Sequence, residues 1–522
     1  MSINNAPSMD LASLISDLDL RVVGDVAGVR VCDITEDSRT AVPGSLFIAR
    51  AGLEVDGRRY AAAAAECGAV AMLSDSDDLE LPAGCRVVTL VSGDVPRDAA
   101  LLAERFYGNP TSKLMLVGVT GTNGKTSVAT MTRAILQASK VRCGMIGGVE
   151  VDDGREVAPA SMTTPPAVEL SRTFASMVDS GCAAATMEVS SHALDQRRAD
   201  GLAFDVAVFT NLSGDHLDYH RTPEAYLDAK RRLFELLPSD GVRLLNADES
   251  ASDAMDGPNA RWCSAERDPR ATWTVSIVSS DVRGMDLSIG TPLGEVRGRV
   301  ALVGAHNAMN ALQAVAAAEA VLERRGLDDA ARIDVLRRGL GVLGPVRGRL
   351  ELVSAEEDDL TVFVDFAHTD DALRSTLSAV RAAVGGARLC IVFGCGGDRD
   401  ATKRPRMGAV AAELADRVIV TSDNPRREPP GSIIDQILAG IPADRRASIQ
   451  VHADRSRAIR AAVIDGEPGD VVVIAGKGHE TEQVTSDGAG NLVRIRFDDT
   501  GVARSLLRER RLRGAPDPGG RA

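Results

Sequence analysis

Length, composition and charge place this sequence among folded proteins of several domains. At 522 residues the chain exceeds what one hydrophobic core usually supports, and it predicts about three domains. Hydrophobic residues make up 44% and charged residues 26%, ordinary globular values that exclude a disordered chain. The formal net charge of −14 excludes general attraction to nucleic acids or anionic membranes. Any anion-binding site must therefore be local.

The cysteines and the N-terminus predict a cytoplasmic protein. The 8 cysteines are scattered without a CxxC pair, which fits neither a zinc site nor a disulfide framework. The N-terminus carries no basic segment followed by an apolar one, and no apolar run is long enough to cross a membrane. Secretion and membrane spanning are therefore not expected.

Lysine is rare in this sequence, because most of the 60 basic residues are arginines. Chemistry that needs a primary amine or a compact point charge cannot use a guanidinium group. A lysine inside a motif is therefore a candidate functional residue. Four lysines lie in the motifs described below: Lys125, Lys230, Lys403 and Lys477.

The order of predicted elements indicates three α/β units. Residues 1–107 contain short strands and an alanine-rich helix, and the turn-forming sequence Gly-Asn-Pro that follows indicates a boundary. Residues 108–344 repeat buried strands followed by polar loops, as in LMLVGVT and VAVFTNLS, which predicts a mostly parallel sheet. Residues 345–522 alternate strands such as TVFVDFA and DVVVIAG with helices such as DDALRSTLSAVRAAV, and predict a disordered tail from about residue 512.

The segment GVTGTNGKTS stands between an apolar strand and an amphipathic helix, as a phosphate-binding loop does. Its glycines let backbone N–H groups turn toward phosphates, and the helix N-terminus adds a favourable dipole. The spacing is shorter than in GxxxxGKT, so the loop is a variant that predicts ATP or GTP binding. The predicted contacts are Gly121, Thr122, Asn123, Gly124, Lys125, Thr126 and Ser127, with Lys125 on the outer phosphates and Thr126 on magnesium.

Polar residues also follow two other central strands. Glu188 ends a buried strand, where a carboxylate is costly without a cation, so it is interpreted as a magnesium ligand. The loop NLSGDHLDYH places His216 and its polar neighbours after the next strand. That loop either supplies ligands or forms a capped turn with solvated histidines. Asn307 opens a helix and is either a cap or a nucleotide contact.

Three strand-end loops in the last unit carry charge. GCGGDRDATKRP and SDNPRREP are basic, and AGKGHE combines glycines with an acidic residue that can meet an amine. Arginine binds planar anions through two hydrogen bonds, so the basic loops predict a carboxylate or phosphate site. The alternative is a solvated charged loop. The basic candidates are Arg399, Lys403, Arg404, Arg406 and Arg426.

Nine motifs stand in one order over roughly residues 30–500, and together they resemble the Mur ligase family, more narrowly its MurE type. They are GTNGKT, TTP, MEVSSH, NLSGDHLDYH with YLDAK, HNAMNA, DFAHTDDAL, GGDRDATKRP, DNPR and GKGHE. The resemblance implies an α/β fold of three domains: a smaller UDP-binding domain (1–107), a central P-loop ATPase domain that binds ATP (108–344) and a Rossmann-like amino-acid-binding domain (345–522).

What the resemblance implies is an ATP-dependent amide ligase of peptidoglycan synthesis. It would add meso-diaminopimelate to the D-Glu γ-carboxylate of UDP-MurNAc-L-Ala-D-Glu through an acyl phosphate, with ATP and Mg²⁺. A cytoplasmic monomer is expected, with no nucleic-acid or membrane partner. The alternatives are a lysine-adding or folylpolyglutamate synthetase-like ligase, or a P-loop ATPase without ligase activity.

The resemblance also implies residue roles. Thr126, Glu188 and His216 would hold magnesium, and Lys230 in YLDAK would be carbamylated, which converts a cation into a metal-binding anion. Lys125 and His216 join Lys230 as catalytic residues. Further ATP contacts are Asn307, Arg347 and Asp365. The UDP-MurNAc-dipeptide contacts are Ser38, Thr163, Thr164, Ser190, Gln196 and Arg198.

The choice of amino acid is interpreted from DNPR and GKGHE. The distal carboxylate of diaminopimelate would pair with an arginine, and its distal ammonium would pair with a glutamate. A lysine-adding enzyme would leave Arg426 without that carboxylate. The implied diaminopimelate contacts are Arg399, Asp423, Asn424, Pro425, Arg426, Gly476 and Glu480. The chain departs from the family's DYAHTP at Phe366 and Asp370.

Overall fold

The computed structural model describes residues 8–52 and 55–514. Within them, one main sheet lies in each of the three segments that the sequence predicts as units, which confirms the three-part α/β fold. The limits at residues 107 and 344 fall between sheets, and as domain boundaries they stay predictions. No helix of the described residues is long and apolar enough to cross a membrane.

The N-terminal unit contains a five-stranded sheet. Its elements are β1 Met9–Asp10, α1 Leu11–Leu14, β2 Arg21–Val23, β3 Arg30–Val31, β4 Asp33–Thr35, β5 Ser45–Ala49, α2 Ala61–Glu66, β6 Ala71–Ser74, β7 Val88–Val91 and α3 Val95–Phe106. The strand order is β2-β7-β6-β5-β4, and only β2 runs antiparallel to its neighbour. Strands β1 and β3 form a separate pair.

The central unit contains an 11-stranded sheet. Its elements are β8 Met115–Thr120, α4 Lys125–Ala138, β9 Cys143–Ile146, β10 Glu150–Asp152, β11 Val157–Pro159, α5 Ala167–Asp179, β12 Ala184–Glu188, α6 Ser191–Asp195, β13 Val206–Phe209, α7 Leu217–His220, α8 Pro223–Glu235, β14 Val242–Asn246, β15 Ala260–Ser264, β16 Trp273–Asp281, β17 Gly284–Thr291, β18 Gly294–Val300, α9 Ala305–Arg324 and α10 Asp329–Leu340. The order is β11-β10-β9-β12-β8-β13-β14-β15-β16-β17-β18, parallel from β9 to β16.

The strands at the middle of this sheet are apolar because both of their faces are covered. Val117 and Val119 of β8 belong to the core that includes α4 and α9, whereas Leu116 faces the core with α5 and α8. The carboxyl ends of these parallel strands share one edge of the sheet. Glu188 of β12 lies opposite Val119, directly beside the predicted phosphate loop.

The C-terminal unit contains a six-stranded sheet and a separate hairpin. Its elements are β19 Glu351–Leu352, β20 Thr361–Asp365, α11 Asp370–Val384, β21 Leu389–Phe393, α12 Lys403–Leu414, β22 Arg417–Thr421, α13 Pro430–Ala439, α14 Ala443–Arg446, β23 Gln450–His452, α15 Arg455–Ile464, β24 Val471–Ala475, β25 Glu482–Ser486, β26 Leu492–Arg496 and α16 Asp499–Gly514. The order is β19-β20-β24-β21-β22-β23, parallel except for β19.

Two features differ from the sequence-based description. Helix α16 continues through Gly514, so the tail does not begin at residue 512, and residues 515–522 lie outside the described residues. Strands β16, β17 and β18 form an antiparallel meander that the sequence analysis did not predict.

Candidate active site

The phosphate loop joins β8 to α4, as the motif predicts. Gly121 has φ +146°, and a Cβ there would lie 1.9 Å from the Thr210 hydroxyl oxygen. Gly124 has φ +87° and would place a Cβ 2.5 Å from Asn310 Oδ1. Only glycine suits both the backbone conformation and the space. The loop therefore presents its backbone at the N-terminus of α4, where anions are favoured.

Two lysine amines meet at the carbonyl oxygen of Gly121. Lys125 Nζ donates to it at 3.0 Å and to the Thr122 carbonyl at 2.9 Å, whereas Lys230 Nζ donates to it at 2.7 Å. Lys230 extends from α8, is 1% exposed and lies 4.2 Å from the ring centre of Tyr226. Burial and the neighbouring Lys125 charge hold the pKa of Lys230 well below its usual value. This environment therefore favours the neutral form of the Lys230 amine.

The carboxylate of Glu188 lies over the start of α4. Its Oε2 accepts from the Thr126 hydroxyl at 2.9 Å, and its Oε1 accepts from the Gly148 N–H at 2.7 Å. Both Thr126 and Glu188 are buried. Two of the three predicted magnesium ligands are thus in contact.

The third predicted ligand, His216, comes from the loop after β13. It has φ +56°, its ring lies 3.4 Å from the Asp215 carboxylate, and it packs edge-on against His192. Partial burial lowers the pKa of His216 to about 4, so its imidazole is neutral near pH 7. Among the described residues, no group of at least three His, Cys, Asp or Glu side chains forms a closed metal site.

An arginine that the sequence analysis missed contacts this region. Arg349 donates to Thr126 Oγ1 at 3.2 Å, and its guanidinium lies 4.5 Å from the ring centre of Phe366. Arg347, the predicted ATP contact, has an exposed side chain. Asp365 accepts from the N–H of Leu350 at 2.6 Å and thus anchors the backbone next to Arg349.

Asn307 lies buried at the start of α9, where two hydrogen bonds within the protein hold its side chain. Its amide nitrogen donates to the Val303 carbonyl at 2.9 Å, and its Oδ1 accepts from Asn310 at 3.2 Å. Because Asn310 also lies against Gly124, the pair joins the start of α9 to the phosphate loop. Asn310 was not predicted, although the HNAMNA motif contains it.

Four of the predicted dipeptide contacts form one network beside β12. The Thr164 hydroxyl donates to the Glu188 carbonyl at 2.9 Å and accepts from the Ser190 N–H at 3.0 Å. Arg198 donates to the Thr164 carbonyl at 2.8 Å and to Gln196 Oε1 at 2.7 Å.

The other two predicted dipeptide contacts lie outside that network. Thr163 is half-buried next to Gly148. Ser38 is buried in the N-terminal unit.

The predicted amino-acid contacts converge at the ends of β22 and β24. Asn424 donates to Glu480 Oε2 at 2.7 Å and accepts from Lys477 Nζ at 3.1 Å. Lys477, which was not assigned a role, is fully buried and also donates to Glu480 at 2.7 Å. Asp423 Oδ1 is buried without a hydrogen-bond partner among the described residues. Its charge is met only at 3.8 Å, by Lys477 Nζ, so this carboxylate oxygen can still accept a hydrogen bond.

Arg426 gives the cluster its free positive charge. Its Nη1 donates to the Gly397 carbonyl at 2.8 Å, and its backbone N–H donates to the Val484 carbonyl at 3.0 Å. Burial and the charge of exposed Arg399 lower the pKa of Arg426. A bound carboxylate would stabilise the charged guanidinium and so offset both the burial and the repulsion from Arg399. Pro425 is buried beside Arg426, and Gly476, with φ +115°, lies against Asp423.

Arg404 of the basic loop is not available for a ligand, which corrects the anion-binding prediction for it, whereas exposed Arg406 stays a candidate. Arg404 is 1% exposed and binds both oxygens of Glu428 at 2.8 Å. Arg406 pairs with Asp370 at 3.0 Å.

The segment around Gly348 and Arg349 joins the phosphate loop to the GKGHE loop. A Cβ on Gly348, which has φ +69°, would lie 2.2 Å from the His479 nitrogen, so the two segments are in close contact. Arg349, the residue after Gly348, donates to Thr126 of the phosphate loop at 3.2 Å.

The residues that the sequence analysis missed had weak signals. Lys477 stood out through the rarity of lysine and its place inside GKGHE. Arg349 lies only two residues beyond Arg347, and nothing local distinguishes the two. The packing of Gly348 against the backbone of His479 joins residues far apart in the chain, and no sequence motif indicates it.

Comparison with known proteins covers nearly the whole chain. Family models match residues 31–107 (Mur ligase family, catalytic domain), 119–318 (Mur ligase middle domain) and 348–478 (Mur ligase, glutamate ligase domain). The chain is 42% identical over 490 residues to the UDP-N-acetylmuramoyl-L-alanyl-D-glutamate--2,6-diaminopimelate ligase of Chlorobaculum tepidum, which covers 91% of this chain and 93% of the relative.

A second relative and a solved structure carry the same name. The ligase from Synechococcus elongatus is 40% identical over 510 residues, covering 96% of this chain and 99% of the relative. The solved structure superposes with a TM-score of 0.66 at 30% identity, over 97% of this chain and 99% of the other. These matches confirm the resemblance that the motifs carry. The chain belongs to the Mur ligase family.

Proposed function

We propose that this chain is the ATP-dependent ligase that joins meso-diaminopimelate to the D-Glu γ-carboxylate of UDP-MurNAc-L-Ala-D-Glu. One observation carries the proposal: Gly348 packs against the backbone of Gly478 and His479, and the next residue, Arg349, donates to Thr126 of the phosphate loop at 3.2 Å. An activated carboxylate and an incoming amine thus have adjoining places. The names of the relatives support this specificity.

The proposed reaction has two steps. A carboxylate oxygen of D-Glu attacks the γ-phosphorus of ATP, the bond to ADP breaks, and an acyl phosphate forms. The unprotonated amine then attacks the acyl carbon, the bond to phosphate breaks, and the amine nitrogen loses a proton as the amide forms. Lys125 and the N–H groups at the start of α4 stabilise the phosphate charge during the first step.

We assign magnesium binding to Thr126, Glu188 and His216. The 2.9 Å contact between Thr126 Oγ1 and Glu188 Oε2 places two hard oxygen donors together at the phosphate loop, which fits this cation. Magnesium usually keeps waters and substrate phosphates among its ligands, so a closed protein cage is not required. When bound, the ion would neutralise negative charge on the phosphates.

We assign the carbamate to Lys230. Its burial and low pKa favour the neutral amine, which is the form that adds to CO₂. In that step an N–C bond forms and one proton is released, so a neutral group becomes an anion. The anion would lie beside Lys125, because both amines reach the carbonyl oxygen of Gly121.

The remaining candidate residues are assigned to ATP and to the UDP-sugar peptide. The ATP contacts are the loop residues Gly121 to Ser127 with Asn307, Arg347 and Asp365, and Arg349 is added because it reaches Thr126. Thr163, Thr164, Ser190, Gln196 and Arg198 surround the backbone that follows Glu188 and are assigned to the dipeptide. Ser38 is assigned to the UDP end.

The amino-acid contacts are assigned by charge. Arg426, helped by Arg399, binds the distal carboxylate of diaminopimelate, since its guanidinium lacks a full counter-charge. Asp423 Oδ1, which accepts no hydrogen bond among the described residues, and the Glu480 carboxylate accept from the distal ammonium. Asn424, Pro425 and Gly476 shape the pocket around them.

The proposal is tested by omitting one substrate at a time. Phosphate release and product mass are measured with ATP, Mg²⁺, UDP-MurNAc-L-Ala-D-Glu and diaminopimelate. The proposal predicts product only in the complete mixture and phosphate release that depends on the amine. Phosphate release in the absence of both the nucleotide sugar and the amine, without product in the complete mixture, would identify a plain ATPase. Product with a folate substrate instead would identify a folylpolyglutamate synthetase-like enzyme.

A further inference from the structure

A buried ion pair lies behind the two amino-acid loops and has no role in the proposed chemistry. Arg455, the first residue of α15, binds Asp499, the first residue of α16, through two hydrogen bonds of 2.7 Å. Both side chains are 0% exposed. Burying two charges is costly, and apolar residues of similar volume often stabilise a fold equally well. The pair therefore calls for an explanation beyond stability.

The remaining donors of Arg455 reach the bases of both loops. Its Nη2 donates to the Ala475 carbonyl at 2.9 Å, and its Nη1 donates to the Ser422 carbonyl at 3.3 Å. Ala475 ends β24 and directly precedes Gly476, whereas Ser422 directly precedes Asp423. A single planar group thus touches the last backbone carbonyl before each loop.

The sheet itself does not join these two loops. Strand β21 lies between β22 and β24, so no ladder hydrogen bond connects the two strands. The loop tips are connected by Asn424, Lys477 and Glu480, which are the groups assigned to the substrate site or next to it. At the loop bases Gln483 donates to the Asp423 carbonyl at 2.6 Å, and Arg455 is the group that reaches the last backbone carbonyl before both loops.

We propose that Arg455 and Asp499 are positioning residues for amino-acid selection, an inference that rests on the proposed ligase function. Asp499 holds the guanidinium plane, and the guanidinium sets the separation of Asp423–Arg426 from Gly476–Glu480. A shift at the bases would misplace Arg426 relative to Glu480 and weaken the recognition of both distal groups together.

Two kinds of variant separate positioning from folding. Arg455→Lys keeps the charge, but an ammonium group cannot reproduce the planar, bidentate contact. The double variant Arg455→Met with Asp499→Leu removes both charges together, so no unpaired charge remains buried and the fold is expected to persist. Arg460→Ala is the matched control, because Arg460 joins the same two helices through Glu509 at 2.8 Å on the surface. Thermal unfolding verifies that each variant is folded.

The experiment measures KM for each substrate and the preference for diaminopimelate over L-lysine. In both Arg455 variants we expect KM for diaminopimelate to rise about tenfold, the size expected from lost hydrogen bonds to a charged group, with KM for ATP changed by less than about twofold. The preference over lysine falls in parallel, and Arg460→Ala matches the parent enzyme.

Two results would overturn the inference. The folded double variant could keep the KM and preference of the parent, or all substrates could be affected equally, as in a general structural defect. A parent enzyme that forms no product with either amine would instead refute the proposed function. The two failures are thus distinguished in one series of assays.

Discussion

Replacing Arg426 by alanine removes the free positive charge of the amino-acid site. The side chain holds one internal hydrogen bond, 2.8 Å to the Gly397 carbonyl, and is otherwise surrounded by the charges of Arg399, Asp423 and Glu480. Its lowered pKa, caused by burial and by Arg399, indicates that the cation lacks full compensation. A substrate carboxylate would supply that compensation, whereas L-lysine has none to offer at its distal end.

The expected loss follows from the interaction that disappears. A hydrogen bond to a charged group contributes about 1.5 to 3 kcal/mol, which corresponds to a roughly 10- to 100-fold fall in kcat/KM for diaminopimelate. The value for lysine should change by less than about threefold, because lysine never used this cation. The preference for diaminopimelate should therefore fall by nearly the whole factor.

The assay is steady-state phosphate release with each amine, checked by product mass. Arg427→Ala is the control, because Arg427 is the next residue, is exposed and pairs with Asp398 at 3.4 Å. A loss of activity shared by both amines in Arg426→Ala, or an equal effect of Arg427→Ala, would refute the reasoning about the distal carboxylate.

Three further changes test the other half of the site. Lys125→Met should abolish amine-dependent phosphate release while the fold persists, because the outer phosphates lose their cation; substantial remaining turnover would contradict this role. Glu188→Gln should raise the magnesium concentration needed for half-maximal rate, as a magnesium titration will show, and an unchanged requirement would remove Glu188 from the metal site. Lys230→Met should lose activity, yet in CO₂-depleted buffer, where Lys230 stays an amine, it should raise the free energy of unfolding near pH 7, since a costly buried amine is removed. The unfolded chain protonates Lys230 below its ordinary pKa and the folded chain does not, so this cost grows as pH falls; chemical denaturation at several pH values will show a flatter profile for the variant, and an unchanged profile would contradict the neutral amine.

The local parts of the site could be predicted because short stretches of sequence determine them. Strand β8, the glycine turn and helix α4 follow from one continuous motif, and α11 begins and ends where the apolar spacing indicates. The placement of Glu188 beside the loop follows from parallel strands whose carboxyl ends share an edge. Each of these inferences needs only neighbours in the chain and the rule for parallel sheets.

The missed parts depend on packing between distant segments. Arg349 reaches Thr126, more than 200 residues earlier, and its local sequence resembles that of exposed Arg347. Arg404 belongs to a run of basic residues that predicts an anion site. Glu428 from another loop, however, neutralises the charge of Arg404 inside the protein. The meander β16–β18 was missed because its outer face is polar and its alternation is interrupted by the register shift between Ile277 and Ser279.

A competition between the two amines tests the central claim most directly. Equal concentrations of meso-diaminopimelate and L-lysine are supplied with ATP, Mg²⁺ and UDP-MurNAc-L-Ala-D-Glu, and the products are separated by mass. The account predicts that nearly all product carries diaminopimelate, because Arg426 binds a carboxylate that only this amine possesses at its distal end. A product that carries mainly lysine would contradict that assignment, and the absence of any amide product would contradict the ligase itself.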